Sequence, residues 1–214
     1  MYWNTVNELL KKYLLLLMKA PEFLPFRLVG GTALSLHLGH RVSVDIDLFT
    51  DAEYNSIDFS SIDKFLTDNV EYVYMGFGIP GGMGKSYLIG ENENNSVKLD
   101  VFYTDTFIQA PIVEDGIRLA TIEEIIAMKI DVISRRGRKK DFWDIHELIE
   151  TYSIHQMLTL HKQRYKYTHN EVEILANFID FADADDDFEP KCLRGKHWEL
   201  VKMDIVQKIQ DMNT

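Results

Sequence analysis

Cysteine is nearly absent: the 214 residues carry one, Cys192. A lone thiol excludes an internal disulfide and any cysteine-rich metal centre, and it suits a reducing compartment. Long apolar runs are missing too. The longest, residues 13–18, is far too short to span a bilayer. Glu8 ahead of that run, with lysines on both sides of it, argues against a secretion signal. The expectation is a soluble cytoplasmic protein. Neither an internal repeat nor a long linker is visible.

Positive charge is also in short supply, with 23 Lys and Arg against 34 Asp and Glu and a net charge of −11. A uniformly acidic surface would repel nucleic acid, whose binding rests on neutralising phosphates. The charge is uneven, however. Asp180, Asp183, Asp185, Asp186, Asp187 and Glu189 crowd one stretch, while Arg135, Arg136, Arg138, Lys139 and Lys140 form a basic block. Net charge therefore speaks to solubility and leaves local phosphate binding open. Core material is plentiful: 46% of residues are hydrophobic and 12% aromatic, which excludes a disordered chain and fits one large domain or a domain with a modest extension.

Leu9, Leu10, Tyr13, Leu14 and Leu17 recur at helical spacing and predict an opening amphipathic helix. A short strand is expected over 26–29, then the turn Gly30-Gly31-Thr32, and a compact helix over 33–38 with Gly39 as its C-cap. Val42, Val44, Ile46 and Leu48 alternate with Ser43, Asp45 and Asp47, the period of a strand. A helix over 59–69 and strands over 71–77, 85–89 and 97–103 follow. Thr121 and Glu124 form a capping-box pattern that opens a helix to about Arg136. A second helix starts near Lys140, with others over 156–165, 171–181 and 199–212. The pattern is α+β: a mixed sheet with flanking helices, followed by a C-terminal helical region.

Asp45 and Asp47 stand two apart on a strand, so their carboxylates leave the same face. Such a pair repels itself unless a cation lies between, and hard oxygen ligands suit Mg²⁺ or Mn²⁺. Alone, the pair reads equally well as a solvated strand face. It stands, however, just after a strand, a Gly-Gly-Thr turn and a short helix whose first N–H groups favour an anion. Gly30 and Gly31 permit close backbone approach, and Thr32 supplies a hydroxyl. Asp100, in an alternating strand, is a third acid that would converge on the pair if the two strands are neighbours; two-metal phosphoryl transfer uses such a cluster. Judged alone, Lys129 reads as a snorkelling lysine, and Asp141 and Asp144, on one helix face, as ion-pair partners of Lys140 or Arg138. GGMGKS, residues 81–86, lacks the first glycine of a phosphate-binding P-loop and leads into a strand, so it reads as a hairpin turn. The seven histidines show no zinc-binding spacing.

GGTALSLHLGHRVSVDIDLF resembles the signature of the AbiEii-type nucleotidyltransferase toxins of the DNA polymerase β superfamily. VKLDVF resembles that family's third-carboxylate strand, and IAMKIDVISRRGRKKDFWDIHEL its downstream lysine and aspartate motifs. The resemblance implies a catalytic domain over 1–120 and, over 121–214, a helical region completing the active-site cleft. It implies Gly31 and Thr32 at the nucleotide phosphates, with Gly30 beside them. Asp45, Asp47 and Asp100 become metal ligands, Lys129 a contact to the triphosphate and Asp141 an active-site acid. Thr32 stands where serine is commoner. The implied reaction moves a nucleoside monophosphate from an NTP to an acceptor hydroxyl with Mg²⁺ (or Mn²⁺) and releases pyrophosphate. Its implied setting is a toxin–antitoxin (abortive infection) system with RNA or tRNA as acceptor and a separately encoded antitoxin. The rival expectations are an aminoglycoside-type small-molecule acceptor and a non-catalytic interaction module that keeps the fold.

Overall fold

The computed structural model describes residues 1–76 and 82–212. Leu10, Tyr13, Leu14 and Leu17 bury one stripe of α1 (Glu8–Lys19), and Asn7 caps it by accepting from the Leu10 N–H at 2.7 Å. The helix lies across a seven-stranded sheet of order β3-β4-β5-β2-β1-β7-β6. Its strands are β1 (Arg27–Leu28), β2 (Asp45–Thr50), β3 (Tyr72–Met75), β4 (Gly84–Asn92), β5 (Asn95–Tyr103), β6 (Ile112–Glu114) and β7 (Ile117–Leu119). β2 runs parallel to β5 and antiparallel to β1; β4 runs antiparallel to both β5 and β3. The sheet is therefore mixed, as the sequence predicts.

Period-two patterning divides the faces of the central strands. Ile46 and Leu48 on β2 and Leu99 and Val101 on β5 are fully buried. The residues between them, including all three candidate acids, leave the opposite face. Helix α3 (Phe59–Asn69) packs on β3 and β4 and has the predicted bounds. Helix α2 (Gly30–Leu38) ends on Gly39, whose φ of +68° is the left-handed C-cap expected of it.

The second half comprises α4 (Ile122–Ile133), α5 (Lys139–His146), α6 (Ile154–Arg164), α7 (Glu171–Phe178), α8 (Ala182–Asp185) and α9 (Trp198–Asp211). An aromatic cluster holds α5 to α9: Trp143 stacks on Trp198 with centroids 6.3 Å apart, and Phe142 meets Phe181 at 5.0 Å. One apolar core is continuous from Val6 to Ile209.

Several expectations need correction. Gly30-Gly31-Thr32 is the first turn of α2 and not a turn ahead of it. β2 starts at Asp45 and not at Val42, because residues 40–42 pair elsewhere. The Val42 N–H donates to the Lys191 carbonyl at 2.9 Å, the Leu193 N–H donates to the His40 carbonyl at 2.8 Å, and Arg41 bridges Cys192. The capping box at α4 is half formed. Thr121 accepts from the Glu124 N–H, but the Glu124 carboxylate pairs with Arg164 and accepts from the Ile108 N–H at 2.7 Å. The β6–β7 hairpin was not expected, although Asp115 and Gly116, both at positive φ, are the residue pair its tight turn demands. Phe77, the end of one expected strand, and Gly81 of GGMGKS lie outside the described residues; Lys85 and Ser86 are in β4.

Candidate active site

Parallel pairing of β2 with β5 sets Asp47 opposite Asp100 and Asp45 opposite Lys98. The three expected carboxylates thus share one sheet face. Asp47 is recessed against the start of α2, where a Cβ on Gly30 would come within 2.6 Å of its Oδ2. Glycine is needed there twice over, since Gly30 also has a φ of +68°. Burial, then Asp100 and Asp45, push the Asp47 carboxyl up to about 6. Three carboxylates on one face, one of them penalised by burial and then by the charge of the other two, suit a divalent cation between them. Among the described residues no group of three or more His, Cys, Asp or Glu is arranged to hold a metal ion as it stands. Asp100 accepts from Ser86 Oγ at 2.6 Å and from Lys98 Nζ at 2.5 Å.

The glycine turn is fitted to its neighbours. A Cβ on Gly31 would collide with the Arg41 guanidinium. Thr32 departs from its expected role. Its hydroxyl is buried, donates to the Asp45 carbonyl at 2.5 Å and lies 2.8 Å from Ser43 Oγ. It therefore ties α2 to the first residue of β2 and presents no free hydroxyl to a phosphate.

Behind the acids lies a buried ionic network centred on Asp144. Arg41 donates to it through Nε at 2.6 Å and Nη2 at 2.8 Å, Lys129 Nζ lies 2.7 Å from Oδ2, and His40 Nε2 lies 2.8 Å from Oδ1. Burial opposes ionisation of Asp144, but Arg41 and Lys129 override it and hold the carboxyl well below its usual range. Lys129 also donates to Asp141 at 2.6 Å and is only 6% exposed. Burial alone would lower its pKa; Asp141 and Asp144 raise it instead. The lysine expected at the triphosphate is thus clamped between two acids. Asp141 accepts from the Arg138 N–H at 3.0 Å and so caps α5 as well.

Beside Asp45 stands a cation that the motif reading did not assign to the site. Lys140 Nζ lies 3.6 Å from Asp45 Oδ2 with about a third of its side chain exposed. Ser86 was equally missed, because its relation to Asp100 depends on strand pairing, whereas Lys98 shares the Asp100 face of β5 by the period of the strand. The basic block is largely engaged inside the molecule. Arg135 pairs with Asp131, Arg138 donates to Asp187 through Nη2 at 2.9 Å and Nε at 3.1 Å, Arg136 lies 3.8 Å from Asp183, and Lys139 donates to the Asp185 carbonyl at 3.3 Å. The two charge runs of the sequence largely answer each other.

Residues 13–211 match the family described as the nucleotidyl transferase AbiEii toxin of type IV toxin–antitoxin systems, and the chain belongs to it. It is 27% identical over 210 residues to the uncharacterised Aquifex aeolicus protein aq_aa25, covering 87% of each chain. Its fold is similar to that of JHP933 from Helicobacter pylori, with a TM-score of 0.57 and 18% identity over 94% of this chain and 89% of that one. A second H. pylori protein, assigned as a nucleotidyltransferase, gives a TM-score of 0.55 and 20% identity over 94% and 92%. Among the described residues no helix is long and apolar enough to cross a membrane.

Proposed function

We propose that this member of the AbiEii family moves a nucleoside monophosphate from an NTP to an acceptor hydroxyl and releases pyrophosphate, in a reaction that depends on a divalent cation. The observation that carries the reading is the convergence of Asp45, Asp47 and Asp100 on one sheet face beside the glycine turn that opens α2. Asp45, Asp47 and Asp100 would hold Mg²⁺ or Mn²⁺. Bound there, the cation supplies charge neutralisation at the phosphates and lowers the pKa of an attacking hydroxyl.

The remaining work belongs to the chain. Gly30 and Gly31 let the triphosphate approach the backbone, and Lys140, beside Asp45, offsets its charge. Asp100, whose carboxylate is oriented by Ser86 and Lys98, would help activate the acceptor hydroxyl. Lys129, Asp141 and Asp144 act as positioning residues: they fix α4 to α5 and so hold Lys140 at the acids. On this reading residues 1–120 form the catalytic part and residues 121–214 close the cleft.

The family's toxin description supports a separately encoded antitoxin as partner, and RNA, such as tRNA ends, is the acceptor we propose. The aminoglycoside alternative rested on an acidic stretch able to attract a polycation, and that stretch is largely paired with Arg136, Arg138 and Lys202. Incubation of the protein with labelled NTPs, Mg²⁺ and either purified tRNA or an aminoglycoside panel tests the acceptor. Label on tRNA, abolished by EDTA, is expected. Label on an aminoglycoside alone overturns the RNA acceptor, and no transfer under any condition favours the non-catalytic module.

A further inference from the structure

A cleft of about 270 Å³ opens beside Asp45, between residues 41–45, the start of α5 at Arg138 and Lys140, and the loop of residues 187–191. The loop is held at both ends. Asp187 takes two hydrogen bonds from Arg138, and the Lys191 carbonyl accepts from the Val42 N–H. This fastened loop nevertheless leaves Phe188 89% exposed, and Val44 across the cleft is 58% exposed. Neighbouring apolar side chains on anchored backbone, left uncovered at the mouth of a charged site, mark a surface that a ligand covers.

The chemistry around them narrows the ligand. An exposed aromatic ring at the mouth of a cleft that also holds Lys140 and the Asp45 carboxylate matches a planar ring joined to a phosphate chain. Aromatic side chains bind nucleobases in this way, by stacking that tolerates any base because each has a π-face. The cleft adjoins Asp45 but neither Asp47 nor Asp100, and Asp100 lies on β5, beyond β2 from this side. The base that reaches it therefore belongs to the triphosphate, whose phosphates meet Asp45, and not to an acceptor approaching Asp100.

We propose that Val44 and Phe188 form the subsite for the nucleobase of the NTP, with Arg138 and Asp187 holding the Phe188 loop in place. This inference rests on the nucleotidyl-transfer reading above. It gives the acidic stretch a role: Asp187 anchors the loop to Arg138 at the start of α5 while the Lys191 carbonyl ties it to Val42 ahead of β2, so that the helical half contributes a wall to the catalytic cleft.

Calorimetric titration of wild type, Phe188→Ala and Phe188→Trp with ATP and with inorganic tripolyphosphate, each with Mg²⁺, tests it. Phe188 is exposed, so its replacement leaves the core intact. Phe188→Ala should weaken ATP about tenfold and change tripolyphosphate less than twofold, with Phe188→Trp restoring ATP binding. Equal ATP affinity in wild type and Phe188→Ala overturns the subsite while metal-dependent tripolyphosphate binding persists. A loss confined to RNA binding likewise overturns it, assigning the ring to the acceptor. If wild type binds neither ATP nor tripolyphosphate with Mg²⁺, the nucleotidyl-transfer reading itself fails.

Discussion

Asp47 and Asp100 are register partners on the parallel strands β2 and β5, so two acids far apart in the chain meet on one face of the sheet. A one-residue slip of β5 would bring Leu99 to the site and drive Asp100 into the core. The buried set Val97, Leu99 and Val101 forbids that slip. The apolar face of β5 thereby fixes the position of a candidate active-site acid.

Burial, with Asp100 and Asp45 adding to it, penalises the charge on Asp47, which yields a first prediction. Asp47 has a folded pKa of about 6, above its ordinary value of 3.8. Its charged form is therefore penalised by folding: the penalty is present above pH 6 and is relieved as pH falls from 6 toward 3.8. In metal-free buffer at pH 7.5, Asp47→Asn should raise the melting temperature by about 4 °C. The difference from wild type should shrink by pH 5 and on adding Mg²⁺ at pH 7.5. Equal melting at pH 7.5 would contradict that penalty.

The network behind the site predicts the opposite effect. Asp144 is fully buried between Arg41 and Lys129. Asp144→Ala leaves two buried cations without their shared partner and should cost about 3–5 kcal/mol in urea unfolding. Because the folded pKa of Asp144 is lowered, its contribution is present above the ordinary carboxylate value and is lost only as pH falls through the lower folded one. A cost under about 1 kcal/mol would make the network incidental.

Lys140 and Lys129 should separate in kinetics. Lys140→Ala removes the exposed cation beside Asp45 and should raise the KM for NTP about tenfold with stability within about 0.5 kcal/mol of wild type. Lys129→Met should lower stability and activity together, because its ammonium lies between Asp141 and Asp144. Unchanged NTP kinetics in Lys140→Ala would exclude that lysine from the triphosphate.

RNA contact by the basic block is now restricted to its most exposed members. Arg135→Ala with Arg136→Ala should make acceptor binding less salt-dependent, by roughly 0.7 log units per contact removed, without altering NTP affinity. An unchanged slope would make the block a purely internal partner of the acidic stretch.

Much of this architecture is legible in the chain. Period-two alternation at Asp45–Leu48 and Val97–Val101 gives both the strands and the shared face of the acids, and Gly39 marks the end of α2. What the pattern does not reveal is pairing. Ser86 meets Asp100, and Lys98 comes to lie opposite Asp45, only through strand register, and Lys140 meets Asp45 only once α5 is docked. Alternation also extends β2 back to Val42, where the backbone in fact bonds to residues 191–193. Thr32 and Lys129 are in the places their motifs mark, but their polar atoms bind the protein itself, which residue type cannot disclose.

The central claim is that the three acids organise transfer of a nucleotide from its α-phosphorus. Wild type, Asp45→Asn and Asp47→Asn, each incubated with Mg²⁺, tRNA and NTP labelled at either the α- or the γ-phosphate, test it most directly. The account predicts that wild type places α-label but no γ-label on the RNA, and that both variants, folded by circular dichroism, place none. Transfer of γ-label, or full α-label transfer by either variant, would contradict it.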